Sequence, residues 1–294
     1  MKQGDLVVRK SYGGDVLFRV EAVRTYFAVL KGTDYRLLAD APIPDLSVVY
    51  DPESTRAVQQ VRIKVKDSIR RMHTERERHA VETEDHIRHA VQQSQAFFEV
   101  PGKVLHLDGD GNYLKKSMQL YNTMHVPSHG LHVHESQMAD VLHRLLPQIK
   151  PDIVVITGHD GLLKNRASMD LYSLSSYKNS QHFVNAVRAA RDYEKSRDSL
   201  IVIAGACQSH FEALLQAGSN FASSPGRILI HALDPVYIAI KASYTSIKDT
   251  INLADVIHGT ISGIDGVGGI ETLGRFRVGL PKPQITAANS TLMA

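Results

Sequence analysis

The second half of the chain alternates short apolar runs with amphipathic segments. The apolar runs predict buried strands at residues 103–107, 130–134, 152–157, 200–205 and 227–233. Between them, apolar residues at helical spacing predict helices over residues 112–124, 136–149, 180–194 and 210–218. Strands that are apolar throughout and separated by amphipathic helices are typical of a parallel sheet covered on both faces. We therefore predict an α/β domain over residues 98–294.

The first 50 residues have a different pattern, with short alternating or β-branched runs separated by turns. The sequence Gly13-Gly14-Asp15 predicts a turn between two strands. A segment of this length can form only a small barrel or meander, and we predict an SH3-like β-barrel over residues 1–50. Such barrels bind peptides, other domains or nucleic acid, so this prediction alone does not indicate a function.

Residues 51–97 are predicted to form a charged helical linker. Basic and acidic side chains alternate there, and neither Gly nor Pro occurs between Pro52 and Pro101. The apolar stripe is thin and consists of Val58, Val61, Val65 and Ile69. An Arg-rich run in this segment is surrounded by acidic residues that cancel most of its field, so nucleic-acid binding is not expected.

The composition is that of an ordinary globular protein, with 43% hydrophobic and 22% charged residues. The 34 basic and 31 acidic residues leave a net charge of +3, which indicates no strongly charged partner. A single cysteine rules out an internal disulfide, and the N-terminus lacks a signal-like apolar region. No apolar run approaches the roughly 18–20 residues that cross a bilayer. We expect an intracellular protein with no membrane partner; the sequence does not indicate its oligomeric state.

The single cysteine, Cys207, follows the apolar run at 200–205 and precedes a predicted helix. In parallel sheets the chemistry gathers at the carboxyl ends of the strands. Ser209 and Glu212 form a capping-box pattern, which predicts a helix beginning at His210. Free amides and the positive end of the helix dipole would favour a thiolate there. Cys207 is therefore a candidate nucleophile, although a buried structural cysteine is also common.

His159 occupies the matching place after the apolar run at 152–157. If the two strands are neighbours, His159 and Cys207 emerge side by side, and His159 is a candidate general base and acid. His210 and His231 remain alternatives, the first at the start of a helix and the second inside an apolar run. A histidine cluster at residues 125–134 lacks a clear third ligand. No metal or cofactor is predicted.

The strand-end motifs "VVITGHD" and "VIAGACQS" resemble those of the caspase-like cysteine peptidases in order and spacing. Longer segments, including "PGKVLHLDGDGNYLKK" and "IVIAGACQSHFEALLQAGSNFASSP", resemble the YabG family of sporulation-specific proteases, from the first residues to about Pro281. The resemblance implies a caspase-like three-layer domain and a cysteine endopeptidase, with Cys207 as nucleophile and His159 as general base and acid. It also implies spore coat and cortex-associated protein substrates, cleavage after Arg, and synthesis in the mother-cell cytoplasm with association to the forming coat.

Two departures from the caspase-like pattern concern substrate recognition. Asp160 follows the histidine where Gly is usual, which leaves the oxyanion donor on that side open. Gly205 stands where clostripain-like relatives carry an Asp that helps to bind an Arg at P1, the residue before the cleaved bond. A carboxylate opposite the guanidinium must then come from another strand end. The candidate substrate-binding acids are Asp108, Asp110 and Asp160.

An enzyme that cuts after Arg could also process itself. Candidate sites are the linker arginines that we expect to be exposed, Arg70, Arg71, Arg76, Arg78 and Arg88. Cleavage at any of them would separate the N-terminal barrel from the domain that carries Cys207.

Two other functions remain open. The sequence "GACQS" approaches the G-x-C-x-G elbow of glutamine amidotransferase-like hydrolases, although Ser209 replaces the last Gly. In that class the histidine follows the cysteine. Alternatively, the protein is a non-enzymatic coat scaffold in which the barrel and the charged helix bind partners and Cys207 is structural.

Overall fold

The computed structural model describes residues 1–90, 97–163 and 170–280 and is a mixed α/β structure. Its N-terminal part is an antiparallel sheet formed by β1 (Leu6–Arg9), β2 (Phe18–Val23), β3 (Phe27–Gly32), β4 (Leu38–Pro42) and β5 (Leu46–Val48). The strand order is β4-β3-β2-β1-β5. Alternate residues on the strands, such as Val7, Phe18 and Leu30, form a buried apolar cluster. The β-strands predicted for this region are confirmed, and the SH3-like description stays a prediction.

One helix, α1 (Arg56–Ala90), accounts for most of the predicted linker. Val65 and Ile69 of its apolar stripe pack against the C-terminal α/β part, and Glu75 forms an ion pair with Lys241 at 2.6 Å. The helix is therefore attached to the α/β part along one side. Residues 91–96, at the end of the predicted linker, lie outside the described residues. The domain boundaries at residues 50 and 97 remain predictions.

The C-terminal part is built on a six-stranded sheet. Two further strands, β6 (Phe98–Val100) and β13 (Arg277–Gly279), pair with each other outside this sheet. The six strands are β7 (Val104–Asp108), β8 (Ser128–His132), β9 (Ile153–Thr157), β10 (Ile201–Ala204), β11 (Phe221–Ser223) and β12 (Val267–Gly269). Their order is β12-β11-β10-β9-β7-β8, and β12 alone of these six runs antiparallel to its neighbour. The predicted parallel sheet is confirmed for the other five strands.

Helices cover both faces of this sheet, as expected from strands that are apolar throughout. One apolar cluster joins the sheet to α3 (Met138–Ile149), α4 (Ser180–Tyr193) and α5 (Phe211–Ala217). The other joins it to α2 (Gly111–Thr123), α6 (Asp234–Tyr244) and α7 (Leu253–Gly259). The arrangement has three layers, and its description as caspase-like stays a prediction.

The strand predicted at residues 227–233 is wrong. The fifth strand of the sheet is β11, and the run at 227–233 forms only an isolated antiparallel bridge, between Tyr35 and His231. Ser224 and Arg227 both have positive φ and turn the chain away from the sheet. Ile230 and Ala232 are nevertheless buried, because the loop between β3 and β4 covers them. An apolar run indicates that its residues are buried, but it does not show whether they form a strand or which other segment covers them.

Candidate active site

The candidate residues lie at the carboxyl ends of three adjacent strands. Cys207 follows β10, His159 follows β9, and Asp108 ends β7. These strands are neighbours in the order β10-β9-β7 and are parallel, so their ends share one edge of the sheet. The strands that precede His159 and Cys207 are therefore neighbours, as assumed from the sequence.

Hydrogen bonds hold Cys207 within the short loop between β10 and α5. Its Sγ atom is buried and accepts a hydrogen bond from the Ile230 amide at 3.2 Å. Gln208 has φ +55°, and its amide donates to Ser224 Oγ at 3.1 Å. The Ser209 hydroxyl oxygen accepts from the Ala206 amide at 2.9 Å. Since Ser209 is used in this way, the N-cap of α5 is His210, and the predicted capping box is wrong.

The thiol is not activated in this conformation. Burial raises the pKa of Cys207 to about 12, although hydrogen bonds from the Ile230 and Arg36 amides and the Arg36 charge oppose the shift. Helix α5 has seven residues and begins four residues after Cys207, too far for its dipole to act strongly on the sulfur. The expected thiolate is therefore disfavoured here.

The pH dependence of alkylation tests this pKa. We expect the iodoacetamide reaction rate of Cys207 to rise about tenfold per pH unit between pH 8 and pH 10, because only the thiolate reacts. A free thiol with a pKa of about 8.5 approaches its plateau over the same range, and glutathione is the control. Intact mass reports the reaction at Cys207, the sole cysteine. A plateau below pH 9 would contradict a raised pKa.

Gly205 shows why no aspartate stands at the position used by clostripain-like relatives. Its φ is +112°, and an added Cβ would lie 2.9 Å from Leu214 Cδ1. Both the backbone conformation and the adjacent helix α5 therefore favour glycine.

A Gly205→Ala variant is expected to lower the free energy of unfolding by roughly 2–4 kcal/mol, since backbone strain and steric overlap add. Urea denaturation measures the loss. Gly263→Ala is the matched control, because Gly263 has φ +65° but open space around its Cβ position. Equal losses in the two variants would show that contact with Leu214 is not responsible.

His159 is held by contacts on several sides. Its Nε2 lies 2.9 Å from Asp110 Oδ2, and its amide donates to Glu135 Oε1 at 2.8 Å. The Asn179 side-chain amide donates to the His159 carbonyl oxygen at 2.8 Å. Nδ1 is buried and has no hydrogen-bond partner among the described residues. Asp110 therefore orients the ring and leaves Nδ1 unengaged.

Glu135 is a buried residue that the sequence did not reveal as part of the site. An added Cβ at Gly109 or Gly158 would lie 2.2 or 2.4 Å from its Oε1. Glycine at the ends of two adjacent strands therefore leaves room for this carboxylate. The two glycines in the sequence could have indicated a side chain packed against both strand ends, but they do not identify that side chain as Glu135.

Asp110 contacts protein groups on both oxygens. Oδ1 caps α2 by accepting from the Asn112 and Tyr113 amides at 2.8 and 3.2 Å. Asn112 itself lies inside the first turn of α2. Oδ2 bonds His159 and forms an ion pair with Lys31 from β3. Burial alone would raise the pKa of Asp110, but His159 and Lys31 hold it well below its usual range.

Asp108 is fully buried and paired with an arginine from the N-terminal sheet. Arg36 Nη1 lies 3.0 and 2.9 Å from the two Asp108 oxygens, and Nη2 donates to the Ala232 carbonyl oxygen at 3.0 Å. The guanidinium also lies 5.2 Å from the centre of the Tyr113 ring. Burial raises the pKa of Asp108, and the Arg36 charge with His106 more than offsets it, so the net direction is downward.

Asp160 is surrounded by internal donors. It accepts from the Gly161 amide at 2.9 Å, the Asn179 amide at 2.7 Å and the Ser209 hydroxyl at 2.9 Å, and also from Ser180. Burial raises the pKa of this carboxyl group. The contacts join the end of β9 to α4 and to the Cys207 loop. This favours an organising role over direct contact with substrate.

Three backbone amides near His159 and Cys207 could in principle stabilise the oxyanion of the tetrahedral intermediate, but each already has an acceptor. The His159 amide donates to Glu135, the Gly161 amide to Asp160, and the Gln208 amide to Ser224. The Cys207 amide is a further candidate donor, in the loop between β10 and α5.

Within residues 1–90, 97–163 and 170–280, no group of three or more His, Cys, Asp or Glu side chains is arranged to hold a metal ion. No helix in the described ranges has the length and apolar character needed to span a membrane.

Comparison with known proteins gives a consistent assignment. The family described as YabG peptidase U57 matches residues 2–281. The chain is 42% identical over 283 residues to the sporulation-specific protease YabG of Bacillus subtilis (strain 168), covering 95% of this chain and 97% of that protein. No solved structure gives a significant match. With nearly its whole length matched, the chain belongs to the YabG peptidase family, which supports a protease role.

Proposed function

We propose that the protein is a cysteine endopeptidase with Cys207 as nucleophile, His159 as general base and acid, and Asp110 as the orienting carboxylate. The observation that carries this proposal is the His159–Asp110 hydrogen bond of 2.9 Å at the strand end next to that of Cys207. A nucleophile, a base and a group that orients the base are the recurring parts of such sites.

The hydrogen bond also assigns the protons of His159. An ionised Asp110 can only accept, so Nε2 carries the proton and Nδ1 has the lone pair. Nδ1 would take the proton of the Cys207 thiol as sulfur attacks the scissile carbonyl. The resulting imidazolium would protonate the leaving amine, giving a thioester. Water would then attack the thioester, return the thiol and release the new carboxylic acid.

Asp108 is the acid that we propose for P1 arginine. A fixed carboxylate, the Tyr113 ring and the Ala232 carbonyl oxygen surround one guanidinium, that of Arg36. These three groups match the charge, the flat face and the donors of a guanidinium. The other two candidate acids are engaged by His159 and by internal donors.

We further propose that spore coat and cortex-associated proteins are the substrates, and that the enzyme acts in the mother-cell cytoplasm and at the forming coat. The similarity to a sporulation-specific protease supports this setting. The test is incubation of wild type and of Cys207→Ala with an Arg-rich coat protein, followed by mapping of the cut sites. Cuts after Arg by wild type alone are expected; the same fragments from Cys207→Ala would contradict cysteine catalysis.

Self-processing in α1 is part of the proposal. Arg70, Arg71 and Arg78 are exposed on the helix, whereas Arg76 is partly buried and lies 4.9 Å from the Tyr244 ring centre. The Arg88 side chain lies outside the described residues. Intact mass of wild type beside Cys207→Ala measures the cut, and the same set of fragments in both proteins would contradict self-processing.

A further inference from the structure

The loop between β3 and β4, residues 33–37, lies on the carboxyl edge of the parallel sheet. The Ala232 amide donates to the Asp34 carbonyl oxygen at 2.7 Å, and the Arg36 amide donates to the Ile230 carbonyl oxygen at 3.2 Å. Tyr35 and His231 form an antiparallel bridge between these bonds. The loop thus runs beside residues 230–232 as an added strand, which is a common way for proteins to bind peptides.

This added strand covers the nucleophile. The amide of Ile230 bonds to Cys207 Sγ, while its carbonyl oxygen bonds to Arg36. Cys207 has no exposed surface with the loop in place. A substrate therefore cannot reach the sulfur unless residues 33–37 move.

The charges of the N-terminal sheet complement those of the site. Arg36 pairs with Asp108, the acid proposed for P1 arginine, and Lys31 pairs with Asp110. Both carboxylates at the end of β7 are thus neutralised by cations from one β-hairpin. The Arg36 side chain is fully buried, although its Nε has no hydrogen-bond partner among the described residues.

The chain reverses direction at Arg36. The Leu37 amide donates to the Tyr35 carbonyl oxygen at 2.8 Å, and the Gly32 amide donates to the Leu37 carbonyl oxygen at 2.8 Å. These bonds return the chain into β4 immediately after Arg36. Residues 34–36 run beside residues 230–232, but the residues after them turn back into β4 and do not continue along that segment.

Contacts from α2 fasten the loop. The Tyr113 hydroxyl lies 2.6 Å from the carbonyl oxygens of both Gly32 and Tyr35. Lys116 Nζ donates to the Thr33 carbonyl oxygen at 2.6 Å. The Lys116 side chain is partly exposed, so it can be truncated without leaving a buried charge.

We propose that residues 33–37 are an internal pseudosubstrate, in which Arg36 occupies the P1 pocket at Asp108 and the loop shields Cys207. The proposal rests on the cysteine-peptidase function proposed above. It gives the N-terminal sheet the role of an inhibitory domain, and the enzyme becomes active when this sheet moves away or is removed.

Alkylation and peptide cleavage test the proposal on the full chain. The iodoacetamide rate of Cys207 at neutral pH and the cleavage of a fluorogenic peptide with P1 Arg are measured in parallel. In Arg36→Ala both rates are expected to rise by about tenfold or more, and in Lys116→Ala by about threefold, since weaker anchors raise the open population. Arg9→Ala is the matched control, because Arg9 on β1 pairs with Asp45 in the turn between β4 and β5, away from Cys207. Its rates should stay at the wild-type values.

Several outcomes would overturn the proposal. One is a folded Arg36→Ala variant that is alkylated at the wild-type rate. Another is loss of peptide cleavage in that variant, which would make Arg36 a working part of the site. If Arg36→Ala does not fold, as judged by circular dichroism, Lys116→Ala decides, and an unchanged alkylation rate in it refutes the pseudosubstrate.

A different set of results would contradict the proposed peptidase function. Faster alkylation of Arg36→Ala with no cleavage of P1 Arg peptide by any variant would overturn the proposed function itself. Cleavage by wild type that Arg36→Ala does not change would overturn the pseudosubstrate alone.

Discussion

Replacing His159 with alanine is expected to lower kcat/KM for a P1 Arg peptide by at least about 10³-fold, since the base and the proton donor are lost together. The effect should fall on kcat, because no substrate-binding group is removed. Rates are measured in the more open Lys116→Ala background, so that the shielding loop does not limit them. His143→Ala is the control, since His143 is exposed on α3.

Retention of hydrolase activity in His159→Ala would contradict the proposed mechanism. It would favour an amidotransferase-like hydrolase, whose histidine follows the cysteine. The Asp110→Asn variant distinguishes an orienting role of Asp110 from a substrate-binding role. An orienting role predicts a loss in kcat, whereas a substrate-binding role predicts a rise in KM and altered P1 preference.

The second large effect concerns Arg36 and Asp108. Asp108→Asn alone is expected to lower the free energy of unfolding by about 3–5 kcal/mol, because it leaves the buried Arg36 charge unpaired. The double variant Arg36→Met, Asp108→Asn should recover more than half of this loss, since neither charge then remains. Urea denaturation of the two single variants and the double variant measures the coupling. Additive losses would contradict a direct interaction.

The acid dependence of stability provides a separate check on this pair. In wild type the pKa of Asp108 is lowered on folding, so its contribution is present above the unfolded-state pKa of about 3.9 and is lost as the pH falls below it. In Arg36→Ala the carboxylate is buried without its cation, which raises its pKa. Stability should then increase as the pH falls from 7 towards 4, opposite to the wild-type trend at acid pH.

The sequence alone was sufficient to predict that Cys207 and His159 lie at the same edge of the parallel sheet. Fully apolar strands indicate a parallel sheet, and the strand ends of such a sheet converge whatever the details of its loops. It was also sufficient to mark Asp108 and Asp110 as candidates, but not to separate their roles. That separation depends on which cation or ring nitrogen each carboxylate meets across the fold.

The contribution of the N-terminal sheet could not be predicted. Arg36 and Lys31 have no local signature, since their partners lie more than 70 residues away in the chain. For the same reason the apolar run at 227–233 was assigned to the wrong structure. Its burial was apparent from the residues, but the covering loop comes from the other end of the sequence.

The position of the shielding loop in the chain has a consequence for synthesis. Residues 33–37 leave the ribosome about 170 residues before Cys207, which at ordinary elongation rates is roughly 8–35 s earlier. An independently folding sheet would be complete before the nucleophile is made. The peptidase would then emerge already covered and would need no separate inhibitor during translation. Its release would then depend on an event after synthesis that moves or removes the N-terminal sheet.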